Sequence, residues 1–286
     1  MTRSAIVLLG SVLLALLTAR SPVAAETTLE KVGRTGVLAI GTRIGAPPFA
    51  FLDRSNQWVG FSIDLVEQGV VPSLEKTLGR TIKLEKKESR PETRIPLLSS
   101  NQVDLIAGTM TDAPEWRRSV DFSLTYLLGG SQFLVKKGDS IAGIDGASGK
   151  RIAVLRGSTE AAVLRERAPT AKLQEFPDPV AALQALGQGL VDAYASDGIQ
   201  LHGVKARAPR PDDWAVVGEP FSREPYAMAM RKGDTSFREV VDGGLRTLFE
   251  SGRYFELYEK WFGPGSESPF PMTPEARKFL LGQIGK

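Results

Sequence analysis

The sequence predicts an α/β fold with two lobes, each built on a doubly wound sheet and joined by a two-stranded hinge. Two successive runs alternate short apolar strands with amphipathic helices, the pattern of sheets covered by helices on both faces. The runs are separated at Gly129-Gly130, and a second break follows at Ser222–Tyr226. We therefore expect residues 26–128 and 226–286 to form one lobe and residues 129–225 the other.

Strands and helices alternate at short intervals along both runs. An amphipathic helix follows Ser62, and Pro72 should kink or divide it because proline lacks an amide N–H. The alternation predicts that both sheets are parallel. The strands expected in the first lobe are Val37–Ile40, Phe49–Phe51, Trp58–Gly60, Thr81–Lys86, Val103–Ala107 and Tyr226–Met230. Those expected in the second lobe are Gln132–Val135, Arg151–Leu155, Lys172–Phe176, Asp192–Ser196 and Trp214–Val217.

The composition is that of an ordinary globular protein. The chain has 286 residues, of which 42% are hydrophobic and 24% charged, enough for two lobes of roughly 100 residues each. The formal net charge is +3, and the basic segment Lys83–Lys87 is too sparse for a nucleic-acid surface. There is no cysteine, so disulfides, thiol catalysis and cysteine-based metal sites are excluded.

The first residues have the features of a signal peptide. Arg3 supplies the positive start, Ala5–Leu17 is apolar, and Val23-Ala24-Ala25 provides small residues for cleavage after Ala25. The apolar stretch is shorter than the roughly 18 residues that a spanning helix needs. We expect an exported protein. A lipid anchor would need a cysteine, so the periplasm of a double-membrane bacterium is favoured.

Several short segments identify a resemblance that covers the whole chain after residue 25. They are, in order, PPFAF, GFSIDL, RIPLL, AGTMT with VDFS, GKRIAV followed by GST, VDAYASD, PDDWAVVGEPFSREPY and YEKWFG. Their order and spacing resemble the bacterial solute-binding proteins of family 3, which serve ABC transporters of polar amino acids. The segments Gly41–Phe49 and Pro211–Tyr226 look most similar to the glutamate/aspartate-binding branch. The resemblance implies the two-lobe periplasmic binding protein fold of type II.

In that family an arginine and groups at a helix start in lobe one hold the ligand's α-carboxylate. A helix start offers free amides, and a guanidinium binds a carboxylate with two bonds. The matching residues are Thr109 and Thr111, for which plain helix capping is the alternative. Trp116 stands where the family arginine is expected. Either Arg117, or less favourably Arg118, reaches into the cleft, or the carboxylate is held differently.

Two residues of the second lobe match family positions that contact the ligand. Asp197 matches the aspartate that binds the α-ammonium group, and its alternative role is the N-cap of the following helix. Thr159 matches a ligand-contacting threonine at a helix start. Pro179 stands where the acidic-ligand branch has a histidine, a departure from the pattern of that branch.

Further residues bear on the side chain of the ligand. In the acidic-ligand branch two more arginines hold the side-chain carboxylate, and they match Arg43 and Arg94; a solvent-facing position is the alternative for each. Phe49 and Phe51 are expected to flank the aliphatic part of the ligand, although Phe51 could equally belong to the core of its hairpin. The ligand expected first is glutamate or aspartate.

The resemblance implies a monomeric substrate-binding component of an amino-acid ABC importer, closing on its ligand by hinge motion. Its closed form would dock on a membrane permease whose separate ATPase supplies the energy. No phosphate-binding Gly-x-x-x-x-Gly-Lys-Ser/Thr loop occurs here, and we expect no cofactor and no metal.

Two other functions are possible on this scaffold. One is a cyclohexadienyl-dehydratase-like enzyme, which needs a positioned acid or base. Asp197 counts against it, since a cyclic carboxylate requires no ammonium partner, and the lone His202 does not support a triad or a histidine metal site. The other is a ligand sensor for a membrane kinase, which usually requires a fused membrane-spanning segment.

Overall fold

The structure, a computed structural model, describes residues 26–284. The predicted signal peptide, residues 1–25, lies outside this part of the chain. The strands are β1 Val37–Thr42, β2 Gly45–Ala46, β3 Ala50–Leu52, β4 Trp58–Val59, β5 Lys83–Glu88, β6 Leu105–Ile106, β7 Val120–Phe122, β8 Leu127–Gly129, β9 Ser131–Lys136, β10 Arg151–Leu155, β11 Lys172–Phe176, β12 Ala193–Asp197, β13 Trp214–Val217, β14 Glu224–Tyr226 and β15 Ala229–Arg231.

The helices cover the sheets and form the C-terminal part of the chain. They are α1 Thr28–Thr35, α2 Phe61–Leu65, α3 Val71–Leu78, α4 Arg94–Ser99, α5 Thr159–Arg167, α6 Pro179–Gly187, α7 Gly198–Ala206, α8 Thr235–Glu250, α9 Arg253–Phe262 and α10 Pro274–Leu281. Short 3₁₀ turns occur at Pro91–Thr93, Trp116–Arg118, Ile144–Ala147 and Pro211–Asp213. None of the helices between residues 26 and 284 has the length and apolar character that crossing a membrane requires.

The first five-stranded sheet has the order β5-β1-β6-β15-β7 and is mixed. Strand β1 pairs in parallel with β5 and β6, whereas β15 pairs antiparallel with β6 and β7. The prediction of a wholly parallel sheet is therefore wrong at this edge. Strand β15 follows the return of the chain from the second sheet, so it enters without a crossover helix and runs in the opposite direction.

The second five-stranded sheet has the order β11-β10-β12-β9-β13 and is also mixed. Strands β10, β11 and β12 are parallel, and β9 pairs antiparallel with β12 and β13. Side chains alternate between two cores: Ile152 and Val154 pack in one, and Ala153 and Leu155 in the other. Because successive strand residues point to opposite faces, this sheet is covered on both sides.

A two-stranded antiparallel sheet connects the two larger sheets. Strand β8 leads the chain into the second sheet, and β14 leads it back, with Tyr226 opposite Leu127. This is the hinge that the fold prediction describes. The lobe boundaries at residues 128 and 226 stay a prediction, although both positions lie within this small sheet.

The helix predicted after Ser62 contains a π-helical turn. Helices α2 and α3 are joined through the π-helical segment Val66–Val70, and Pro72 is at the start of α3. The wider turn before the proline removes the clash that its ring would make with the carbonyl four residues earlier. The predicted division therefore takes the form of one altered turn between α2 and α3.

Aromatic side chains fill the core beneath the first sheet. Phe61 packs edge-on against Tyr254 and Phe262, with ring centroids 5.7 and 5.0 Å away. The C-terminal segment continues from this core to the hinge, where the Arg223 guanidinium lies 4.9 Å from the Phe279 ring. Helices α8 and α9 therefore pack as the apolar periodicity of the sequence indicates, and α10 lies against β8.

A close approach of α8 to the π-helical segment generates the first prediction. A Cβ atom added at Gly244 would lie 2.5 Å from the Gly69 carbonyl oxygen, whereas at Gly243 its nearest neighbour would be the Ser73 hydroxyl, 3.6 Å away. We expect Gly244→Ala to lower the free energy of unfolding by about 1–3 kcal/mol, because the two backbones must separate.

The matched control is Gly243→Ala on the same helix. It should raise the free energy of unfolding by up to about 1 kcal/mol, since alanine favours helix more than glycine does. Urea unfolding followed by circular dichroism measures both variants. Equal stabilities for the two would show that the backbones are not in contact at Gly244.

Candidate ligand-binding cleft

A polar cavity lies between the two five-stranded sheets. It is formed where β1, β6, β10 and β12 end, which is where open α/β sheets place their ligands. The space between its walls, including the part open to solvent, is about 500 Å³. The lining residues are Arg43, Pro91, Arg94, Ile95, Thr109, Met110, Thr111, Trp116, Leu155, Gly157, Ser158, Thr159, Glu160, Ser196, Gln200 and Tyr226.

Two buried guanidinium groups form one wall of this cavity. Arg43 follows β1 and is 4% exposed, and Arg94 begins α4 and is 7% exposed. Both donate a hydrogen bond to the Thr109 hydroxyl, with distances of 3.5 Å from Arg43 Nη1 and 3.2 Å from Arg94 Nη2. Within residues 26–284 neither guanidinium lies within 4.0 Å of a carboxylate, and Arg94 Nε is buried without a hydrogen-bond partner.

Burial lowers the pKa of both arginine side chains. Removal from water lowers the pKa of Arg94 to about 9, and the charge of the neighbouring Arg43 adds to the effect. Burial also lowers the pKa of Arg43. Two like charges kept out of water without a counter-ion are unfavourable, so this wall is suited to receive an anion.

A buried carboxylate of the hinge joins the two sides of the cavity. Glu224, on β14, accepts hydrogen bonds at one carboxylate oxygen from the hydroxyls of Thr111 and Thr159, the latter at 3.1 Å. Its other oxygen accepts a hydrogen bond from the Ser222 hydroxyl at 2.6 Å. Thr111 lies beside the first sheet and Thr159 begins α5 of the second, so Glu224 links both predicted threonines through one group.

Glu160 contributes a second buried carboxyl group, and this one lines the cavity directly. It lies in the first turn of α5 and is 8% exposed. Burial raises the pKa of Glu160 to about 7, and the negative charge of Glu224 adds to the rise. The segment Gly157–Glu160 looks in sequence like an ordinary helix start, so the sequence alone does not indicate that Glu160 belongs to the site. Glu224 and Tyr226 are two residues apart on β14, and both side chains are buried. This two-residue spacing is the sequence signal that could have identified Glu224 as a site residue.

The structure places Asp197 in the alternative role that the sequence allows, the N-cap of α7. One of its oxygens accepts hydrogen bonds from the amides of Ile199 and Gln200, at 2.9 and 3.2 Å. The other accepts a hydrogen bond from the Gly130 amide at 3.0 Å. The side chain is 1% exposed and does not line the cavity, whereas Ser196 and Gln200 on either side of it do. The unpaired amides at the start of α7 bind this short carboxylate, so Asp197 is the N-cap of that helix.

Arg117 is likewise outside the cavity. Its side chain is 64% exposed and forms an ion pair with Asp112, with 2.7 Å between Nη2 and Oδ2. Trp116 lines the cavity instead, at the position where the resemblance predicts an arginine. In the 3₁₀ turn Trp116–Arg118 successive side chains point in different directions, and the side chain that points into the cavity is that of Trp116.

The two predicted phenylalanines belong to the core of the first lobe and do not line the cavity. Phe49 is fully buried, with its ring 5.4 Å from that of Tyr226. Phe51 packs edge-on against Trp261 and lies beneath the Arg207 guanidinium, 4.1 Å from its ring centroid. Phe49 also packs against Phe262, so both rings contact aromatic side chains of α9.

Of the predicted site residues, the structure thus brings five together around one cavity. These are Arg43, Arg94, Thr109, Thr111 and Thr159. Two doubly covered sheets with a hinge and a cavity between them define a ligand-binding protein of the type II periplasmic fold. Residues 38–264 match the family described as bacterial extracellular solute-binding proteins, family 3. This chain belongs to that family, as the sequence resemblance predicted.

The relatives support the same assignment. The L-glutamate/L-aspartate-binding protein of Pseudomonas aeruginosa is 32% identical over 98% of this chain and 96% of its own length. An ancestral arginine-binding protein, solved bound to glutamine, is 36% identical over 80% of this chain and 98% of that chain, with a TM-score of 0.73. The ancestral amino acid-binding protein AncCDT-1, described as a precursor of cyclohexadienyl dehydratase, is 30% identical over 82% of this chain and 99% of that chain, with a TM-score of 0.72.

The buried carboxyl groups generate a prediction of pH dependence. Asp197 resembles Glu160 in that burial raises its pKa to about 7. In both cases the folded state binds the proton more strongly than the unfolded chain does. The two protonated carboxyl groups therefore stabilise the folded state fully below about pH 4. This stabilisation is lost as the pH rises through about 7. Each group changes the slope by up to about 1.4 kcal/mol per pH unit.

We expect Glu160→Gln to gain stability relative to the wild type as the pH rises from about 4.5 to 7, because only the wild type loses the stabilisation that the protonated Glu160 carboxyl group provides. Urea unfolding of both proteins at a series of pH values measures the difference. Glu115→Gln, at an exposed position, is the control and should show no such trend. A difference that stays constant with pH would contradict the raised pKa.

Proposed function

We propose that this protein is the periplasmic substrate-binding component of an amino-acid ABC importer and that its ligand is an acidic amino acid. The observation that carries the ligand class is the pair of buried guanidinium groups of Arg43 and Arg94, with no carboxylate in ion-pairing range among the described residues. Arginine is suited to bind carboxylates because its planar fork donates two parallel hydrogen bonds.

The positions of the two arginines bear on how such a ligand is held. Both guanidinium groups share the Thr109 hydroxyl, so the carboxylates that they bind lie at one end of the cavity. Trp116, Ile95 and Met110 provide apolar surface nearby for the methylene groups of the ligand. With Trp116 in place of the family arginine, Arg43 and Arg94 together receive both the α-carboxylate and the side-chain carboxylate.

The charge of the cavity also excludes other ligands. A basic amino acid would bring a third positive charge near two guanidinium groups, and an apolar one would leave one of them without a partner. Both situations are unfavourable once closure removes water. The name of the Pseudomonas aeruginosa relative supports the same ligand class.

The cellular setting follows from the same proposal. The protein acts as a monomer in the periplasm, after removal of residues 1–25, and its closed form docks on a membrane permease coupled to a separate ATPase. The lobes close on the ligand by rotation at the two-stranded sheet of β8 and β14.

A binding role is favoured over the dehydratase alternative. AncCDT-1 is described as a precursor of such an enzyme, but its description also names it an amino acid-binding protein. In this chain the cavity holds two guanidinium groups and the carboxyl group of Glu160, a set of charges complementary to those of a free acidic amino acid. We therefore propose that the protein catalyses no reaction.

The ligand class is tested by replacing one guanidinium. Arg94→Met keeps much of the side-chain volume and removes the charge, so we expect glutamate affinity to fall by about 10- to 100-fold, corresponding to a charged hydrogen bond. Calorimetric titration with L-glutamate, L-aspartate, L-glutamine, L-arginine and L-leucine measures the change and the specificity together.

Arg117→Met is the matched control, since Arg117 is exposed and outside the cavity. Its affinity for glutamate should stay within about twofold of the wild type. Tight binding of arginine or leucine without binding of glutamate, aspartate or glutamine would show that the ligand class is wrong, while the family assignment would stand.

A further inference from the structure

An amino-acid ligand brings an ammonium group as well as its carboxylates, and that group needs a partner. The family resemblance assigns this role to Asp197. Here both oxygens of Asp197 already accept amide hydrogen bonds, and the side chain does not line the cavity. Reorienting it would leave the amides at the start of α7 unpaired in a buried place, which is unfavourable.

Glu160 is the carboxyl group that does line the cavity. It projects from the first turn of α5, on the second-lobe side, whereas Arg43 and Arg94 belong to the first-lobe side. No Lys or Arg nitrogen within residues 26–284 lies within 4.0 Å of its oxygens. A charged group that is buried without a counter-ion, at the edge of a ligand cavity, is suited to bind an ion of opposite sign.

We propose that Glu160 is the anionic contact for the α-ammonium group of the ligand, in the role that the family resemblance gives to Asp197. This inference rests on the proposed binding of an amino acid. It also assigns an orientation: the carboxylates face Arg43 and Arg94 in the first lobe, and the ammonium group faces α5 in the second. The ligand then joins oppositely charged walls, which draws the lobes together.

The surroundings of Glu160 are consistent with this role. The nearby carboxylate of Glu224 repels it and helps to raise its pKa to about 7. An ammonium group placed against Glu160 would compensate that repulsion and favour the ionised form. Glu224 itself is engaged by hydroxyl groups of Thr111, Thr159 and Ser222, so Glu160 is the more accessible partner of the two.

The test compares a ligand with its analogue that lacks the amino group. L-Glutamate and glutarate carry the same two carboxylates, so the ratio of their dissociation constants reports the ammonium contact alone. Calorimetry at about pH 8, where such a carboxyl is largely ionised, is applied to the wild type, Glu160→Gln and Asp197→Asn. Glu166→Gln, an exposed position on the same helix, is the control.

We expect the wild type and Glu166→Gln to prefer glutamate over glutarate by on the order of 100-fold, as for a charged hydrogen bond in a buried place. Glu160→Gln should reduce this preference at least about tenfold and leave glutarate affinity equal or higher, because the repulsion between carboxylates is removed. Asp197→Asn should keep the preference. Circular dichroism establishes that each variant is folded.

The opposite pattern would overturn the inference: a lost preference in Asp197→Asn with an intact preference in Glu160→Gln. If the wild type binds a non-acidic amino acid instead, the acidic ligand class fails, and the same comparison of that amino acid with its deaminated analogue still tests Glu160. An equal affinity of the wild type for a ligand with and without its amino group would also show that Glu160 makes no such contact.

Discussion

Two guanidinium groups buried side by side are the constraint on which the cleft depends. Arg43 and Arg94 share one hydroxyl acceptor, Thr109, and the protein supplies no carboxylate in ion-pairing range within its described residues. Burying two like charges is unfavourable, so the rest of the fold must offset that cost. The closely packed aromatic core around Phe61 and the paired strands of the first sheet contribute to this.

The charges of the two walls differ because different residues follow the strand ends of the two sheets. Each lobe presents the ends of its parallel strands to the other, and helix starts or turns follow at those ends. On the first lobe these positions hold arginines and hydroxyl groups, and on the second they hold α5 with Glu160. The cavity therefore has a positive and a negative side, which suits a zwitterion better than a simple ion.

The sequence was sufficient for most strands and helices and for the residues directly after strands, but not for β7 or α10. Arg43 and Thr109 follow apolar strands, so their place at the sheet edge could be derived from topology alone. Arg117 and Asp197 could not be placed in this way. The first depends on which side chain of a single 3₁₀ turn points inward, and the second on a competition between a ligand and three nearby amides. The involvement of Glu160 requires knowledge of burial, which a helix start does not reveal in sequence.

The hinge carboxylate of Glu224 has a consequence for how affinity is distributed between ligand and protein. It accepts hydrogen bonds from Thr111 beside the first sheet and from Thr159 beside the second, so the chain itself holds the two sides of the cavity together. A closed conformation that is already populated without ligand lowers the free energy that the ligand must supply for closure. The apparent dissociation constant then reflects the internal equilibrium of the hinge as much as the fit of the amino acid, and changes far from the cavity can tune uptake.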